Sequence, residues 1–144
     1  MGRQVQVNDL RKSGRCIIDS CELADELWRR VQPHVPIVAP GVRGAWRAVG
    51  LNERLRFLKY EPGDYFGPHQ DGCYQHEDGP RKGERSFVTV MLYLNEPAEG
   101  GGTRFLQTRG GRQQHRFTEV TPRSGLVRLF EHPLSTRVPR SSGG

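Results

Sequence analysis

Ser86-Phe87-Val88-Thr89-Val90-Met91-Leu92-Tyr93-Leu94-Asn95 runs almost without polar interruption, and a strand buried on both faces reads that way. Its neighbours in sequence carry similar short apolar patterns. Ala45 to Leu51 and Arg54 to Tyr60 precede it, and Gly102 to Leu106, Phe117 to Thr121 and Gly125 to Glu131 follow it. The segments between them hold most of the 18 Gly and 10 Pro, the residues that end strands and make turns. Only one helix is predicted. It runs over about 19–31, where Asp19 and Glu22 form a capping box, Leu23, Leu27 and Val31 recur every four residues, and Pro33 and Pro36 stop the run. Several short strands behind one flanking helix predict a mainly β fold, a sandwich or jelly roll, rather than an α/β sheet.

With 144 residues, the chain suffices for one domain that buries roughly two-thirds of its unfolded surface. That domain is predicted over 1–134, with its β core over about 45–134. Asp71 to Glu84 and Arg109 to Gln114 read as loose loops, and 135–144, polar and bearing Pro and Gly, as a disordered tail. A 34% hydrophobic share still builds a core, while 26% charged residues and a mean hydropathy of -0.70 make a soluble surface. No stretch approaches the roughly 20 apolar residues of a membrane span. Met1 to Leu10 lacks a signal-peptide pattern, which predicts a cytoplasmic protein without membrane attachment. Cys16, Cys21 and Cys73 are odd in number, lack CxxC spacing and read as reduced thiols. The net charge of +6 comes from 22 Lys and Arg against 16 acidic residues. The cations are scattered from Arg3 to Arg140 without a cluster, so nucleic acid is not an expected partner.

Chemistry concentrates in Tyr60-Glu61-Pro62-Gly63-Asp64-Tyr65-Phe66-Gly67-Pro68-His69-Gln70-Asp71. His69 and Asp71 stand two apart, so on an extended strand both side chains leave one face and can converge on a metal ion. An imidazole and a carboxylate are two of the three ligands of the facial triad that holds non-haem Fe(II). A His-x-Asp pair by itself is common.

Three blocks in order are more specific: Tyr60-x-Pro-Gly-x(5)-His69-x-Asp71, then Arg85 to Asn95, then Glu99-Gly100-Gly101-Gly102-Thr103-Arg104-Phe105. Together they resemble the 2-oxoglutarate and Fe(II)-dependent dioxygenases, and within them the catalytic domain of prolyl 4-hydroxylase α subunits, over about Leu51 to Leu134. The resemblance implies a double-stranded β-helix with His69 and Asp71 on iron. It also implies that Tyr60 lines the co-substrate pocket and that Tyr93 bonds the distal carboxylate of 2-oxoglutarate. The expected cofactors are Fe(2+), 2-oxoglutarate and L-ascorbate. The expected reaction hydroxylates a prolyl, peptidyl or small-molecule substrate and releases succinate and carbon dioxide. The loop from Gly72 to Glu84 would overhang the site and govern substrate choice.

The resemblance breaks after Phe130-Glu131-His132. Relatives place the distal iron-binding His where Thr136 stands, followed by a strand whose Lys or Arg pairs with the co-substrate. Two readings stay open: a shortened form that has lost the last strand, the ligand and the cation, or His132 as a substitute third ligand with Arg137 or Arg140 on the co-substrate. A non-catalytic jelly-roll binding module is the rival function, and an Arg-rich nucleic-acid binder ranks last.

Overall fold

The computed structural model describes residues 11–35, 46–107, 116–132 and 135–139. In chain order these form strands β1 (Arg11–Lys12) and β2 (Gly14–Asp19), then helix α1 (Cys21–Val31) with a 3-10 turn (Gln32–His34). The remaining strands are β3 (Arg54–Lys59), β4 (Tyr65–His69), β5 (Val88–Leu92), β6 (Thr103–Gln107), β7 (Arg116–Val120), β8 (Val127–Glu131) and β9 (Ser135–Val138). The described residues are mainly β with one α-helix, as expected. The described strands make three separate antiparallel sheets: a five-stranded one in the order β1-β4-β9-β6-β7, and the pairs β2-β3 and β5-β8.

Several expectations change. Residues 135–138 are not a disordered tail: they form β9, which lies between β4 and β6, where two partners satisfy its backbone. The Arg109–Gln114 loop and residues 140–144 lie outside the described residues. Helix α1 is capped by Ser20, whose side chain accepts from the Leu23 backbone N–H at 3.2 Å. Asp19 instead ends β2 and holds Arg54 across the ladder at 3.0 Å. Trp46 to Leu51, the described part of an expected strand, shows only a bridge at Arg47.

The segment after Asp71 is tied rather than loose. Backbone bonds from His76 to Glu84, Gly83 to His76 and Ser86 to Tyr74 close it into a hairpin. Arg81 fastens it to the body through Glu53, at 2.7 Å, and through the Leu51 carbonyl.

Two of the sheets face each other. Thr89 of β5 is paired with Phe130 of β8, and directly opposite residues of an antiparallel ladder share a face. From that face Thr89 reaches Asp71, and Phe130 meets Phe105 of β6 edge-on at 5.1 Å and 71°. Arg128 lies 5.6 Å over the Phe105 ring. Phe105, 5% exposed, is therefore the centre of a small core between the sheets. The opposite face of β5 is not the fully buried one expected, since Leu92 is exposed and Leu94 beyond it is 63% exposed. Among the described strands its sheet has two, and Val88, Val90 and Leu129 on that side are half-buried.

Candidate metal centre

The site is built on a row of cross-strand neighbours. Thr136 of β9 is paired with Phe105 of β6 on one side and with His69 of β4 on the other, so all three side chains project from one face. Thr136 is 5% exposed and Thr103, two residues before Phe105, is 3% exposed.

β4 reaches this row only through a register shift. Phe66 pairs with Val138 and His69 with Thr136, so three residues on β4 span two on β9. Residues three apart would point to opposite faces of a regular strand, and an extra residue re-aims the side chain that follows it. Gly67-Pro68 supplies it, and Pro68 has no N–H to lose from the ladder. Phe66 and His69 consequently stack, with centroids 3.5 Å apart and planes at 12°.

His69 is held in one tautomer. Nδ1 lies 2.9 Å from the Gly67 carbonyl, and a carbonyl only accepts, so Nδ1 carries the proton and Nε2 presents its lone pair. Nε2 stands 3.5 Å from Asp71 Oδ1 and 3.4 Å from Thr136 Oγ1. The other carboxylate oxygen, Asp71 Oδ2, accepts from Thr89 Oγ1 at 2.5 Å. Burial disfavours the charged imidazole, but Asp71 and the Gly67 carbonyl outweigh it and raise the His69 pKa above its ordinary value. Asp71 is lowered, first by the His69 contact and then by the Thr89 hydroxyl, against the opposing effect of burial.

Among the described residues no three His, Cys, Asp or Glu side chains stand where they could hold a metal ion. The His132 backbone N–H donates to the Phe87 carbonyl at 3.0 Å and continues the β5-β8 ladder, two residues beyond Phe130. Its Nδ1 is buried without a hydrogen-bond partner, and burial lowers its pKa, partly offset by Asp71.

Tyr93, just past β5, donates its phenol to Thr103 Oγ1 at 2.8 Å and so bridges the two sheets. Tyr60 is raised by burial, with Arg11 acting in the opposite direction and Tyr93 close enough to contribute. The two expected co-substrate tyrosines therefore share one neighbourhood. Arg11, a residue absent from the sequence reading, also belongs there. It is paired with Phe66, its guanidinium lies 5.6 Å over that ring, and its charge is felt by both Tyr60 and His69. Thr89 was equally illegible, because only the packing of two sheets brings it to Asp71. The Arg137 side chain and Arg140 lie outside what is described. Gly100 and Gly101 have φ of +67° and +69°, so they form the left-handed turn into β6. A Cβ on Gly101 would meet Pro97 at 3.0 Å.

The spacing of His69 and Asp71 is compatible with a shared divalent ion. Cis ligands about 2.1 Å from a metal are about 3 Å apart, and the donors around His69 Nε2 are a few tenths of an ångström from that spacing. His69 and Asp71 could supply imidazole and carboxylate, and Thr136 a hydroxyl oxygen 3.4 Å from Nε2. No helix among the described residues is long and apolar enough to cross a membrane.

A family model described as the 2OG-Fe(II) oxygenase superfamily matches residues 55–141. Among curated proteins, the chain is similar to "Probable prolyl 4-hydroxylase 8" of Arabidopsis thaliana, 40% identical over 58 residues, covering 40% of this chain and 20% of that protein. It is also similar to "Probable prolyl 4-hydroxylase 11" of the same plant, 31% identical over 94 residues, covering 64% of this chain and 30% of the relative. The chain thus spans less than a third of the length of these relatives. No solved structure matches it.

Proposed function

The chain belongs to the 2OG-Fe(II) oxygenase superfamily, and from that premise we propose that it carries the hydroxylase site of a 2-oxoglutarate-dependent dioxygenase acting on a prolyl residue of a peptide. The observation that carries this reading is the His69–Asp71 pair, at the end of β4 and just beyond it, fixed from two sides by the Gly67 carbonyl and the Thr89 hydroxyl. We read the two facing sheets as halves of a double-stranded β-helix.

Fe(II), when bound, supplies the oxygen chemistry, with ascorbate as its reductant. The chain's own residues do the rest. Pinning Nδ1 leaves Nε2 free to ligate, and the Thr89 hydroxyl holds Asp71 so that Oδ1 faces the same point. Tyr60 and Tyr93 are the phenols we assign to the far carboxylate of 2-oxoglutarate, Tyr93 by turning its O–H away from Thr103 Oγ1. Arg11 adds a cation beside them without an anionic partner among the described contacts. Phe66, Phe105 and Phe130 keep the interior apolar, which favours exclusion of water around the reacting centre. An open depression of about 510 Å3, lined by Cys73, Tyr74, Gln75, Glu77 and Asp78, lies against the hairpin that follows Asp71 and is the surface we assign to the peptide.

The test is product analysis. Protein with Fe(II), 2-oxoglutarate, ascorbate and a proline-rich peptide should yield succinate together with peptide that has gained one oxygen atom. Folded protein that forms no succinate above an iron-free control would overturn the reading and favour a binding module without catalysis.

A further inference from the structure

We propose that Thr136 Oγ1 is the third protein donor of the metal site, so that this chain presents one nitrogen and two oxygens to the ion. The proposal rests on the reading of His69 and Asp71 as metal ligands. Three observations carry it. Register places Thr136 directly opposite His69. Its hydroxyl lies 3.4 Å from Nε2, the nitrogen that Gly67 leaves unprotonated. No third His, Cys, Asp or Glu joins the pair among the described residues. At 5% exposure Thr136 is enclosed by β4 and β6, so the hydroxyl cannot turn away to bulk water.

A neutral hydroxyl is a harder and weaker donor than imidazole. Borderline imidazole favours the later divalent metals, whereas carboxylate and hydroxyl oxygens suit Mg, Ca and Mn. Exchanging one imidazole for a hydroxyl should therefore lower affinity for Fe(II) and Co(II) more than for Mn(II). The site then takes a hard divalent cation, Mn(II) foremost, about as well as it takes iron.

Metal binding without turnover tests this. Mn(II) is titrated by loss of its free-ion EPR signal and Co(II) by its visible absorption, in wild type, Thr136→Ser, Thr136→Val, Thr136→His and His69→Ala. The wild type should bind both ions with affinities within about tenfold of each other. Thr136→Ser should match it, and Thr136→Val, nearly isosteric, should lose at least about tenfold for both. Thr136→His should gain for Co(II) and little for Mn(II). If Thr136→Val binds like wild type while His69→Ala does not bind, the hydroxyl is no donor and the proposal falls, with the metal pair intact. If only Thr136→His binds, the proposal falls likewise. If no folded variant binds either ion, the reading of the pair falls as well.

Discussion

Truncating Phe105 tests the packing that assembles the site. The ring is 5% exposed, meets Phe130 across the sheet interface at 5.1 Å and lies under the Arg128 guanidinium. Phe→Ala at such a core position costs about 3–5 kcal/mol, of which about 0.5–1.5 kcal/mol belongs to the aromatic pair beyond its buried area. A loss of about 4 kcal/mol in a domain of this size lowers Tm by about 12–16 °C. The assay is thermal and urea unfolding of wild type, Phe105→Ala, Phe130→Ala and the double variant, with Phe105→Leu as the milder change if the alanine variant does not fold. Because both rings fill one contact, the double variant should be less destabilised than the two singles added together, by at least about 0.5 kcal/mol. Additive losses, or a loss below about 1 kcal/mol for Phe105→Ala, would refute the claim that the sheets pack through these rings. The placement of Thr89 over Asp71 would lose its support with it.

Tyr93→Phe should weaken 2-oxoglutarate binding by several-fold, as measured by calorimetry of the metal-loaded protein, while also leaving the buried Thr103 hydroxyl without its 2.8 Å donor. Ser20→Ala should cost about 1 kcal/mol in urea unfolding as a lost helix cap, and Asp19→Ala less, because its Arg54 pair is exposed on both sides. Asp64 accepts from the Glu61 backbone N–H and faces Lys12, which together hold its pKa below the ordinary value. A depressed folded pKa gives stability that is present above the unfolded value, about 3.9, and is lost as pH falls through the lower folded one. Tm against pH should therefore drop below about pH 4, and Asp64→Asn should flatten that limb.

What could be read from sequence divides along physical lines. β3, β6, β7 and β8 are visible because their apolar residues and flanking turns are local signals. β2 is not, because all six of its residues are exposed and only its ladder with β3 makes it a strand. Gly67-Pro68 hides β4, since both residues argue against a strand until the register shift gives them a place. β9 is four residues of Ser-Thr-Arg-Val, whose strand conformation comes wholly from its partners. Ser20 and Asp19 are equally good caps on paper, and the Asp19–Arg54 contact across β2-β3 decides between them. In the site, the spacing of His69 and Asp71 and the position of Thr136 are legible as pattern. Thr89 and Arg11 are not, because each arrives from another strand and no spacing rule links 11, 69, 71 and 89.

The central claim, that His69 and Asp71 hold iron where 2-oxoglutarate can bind, is tested most directly by anaerobic visible absorption. Folded wild-type protein given Fe(II) and 2-oxoglutarate should develop a weak charge-transfer band that neither component gives alone. His69→Ala and Asp71→Ala, shown to be folded by circular dichroism, should lack it. A band that survives in Asp71→Ala, or no band in the folded wild type, would contradict the account.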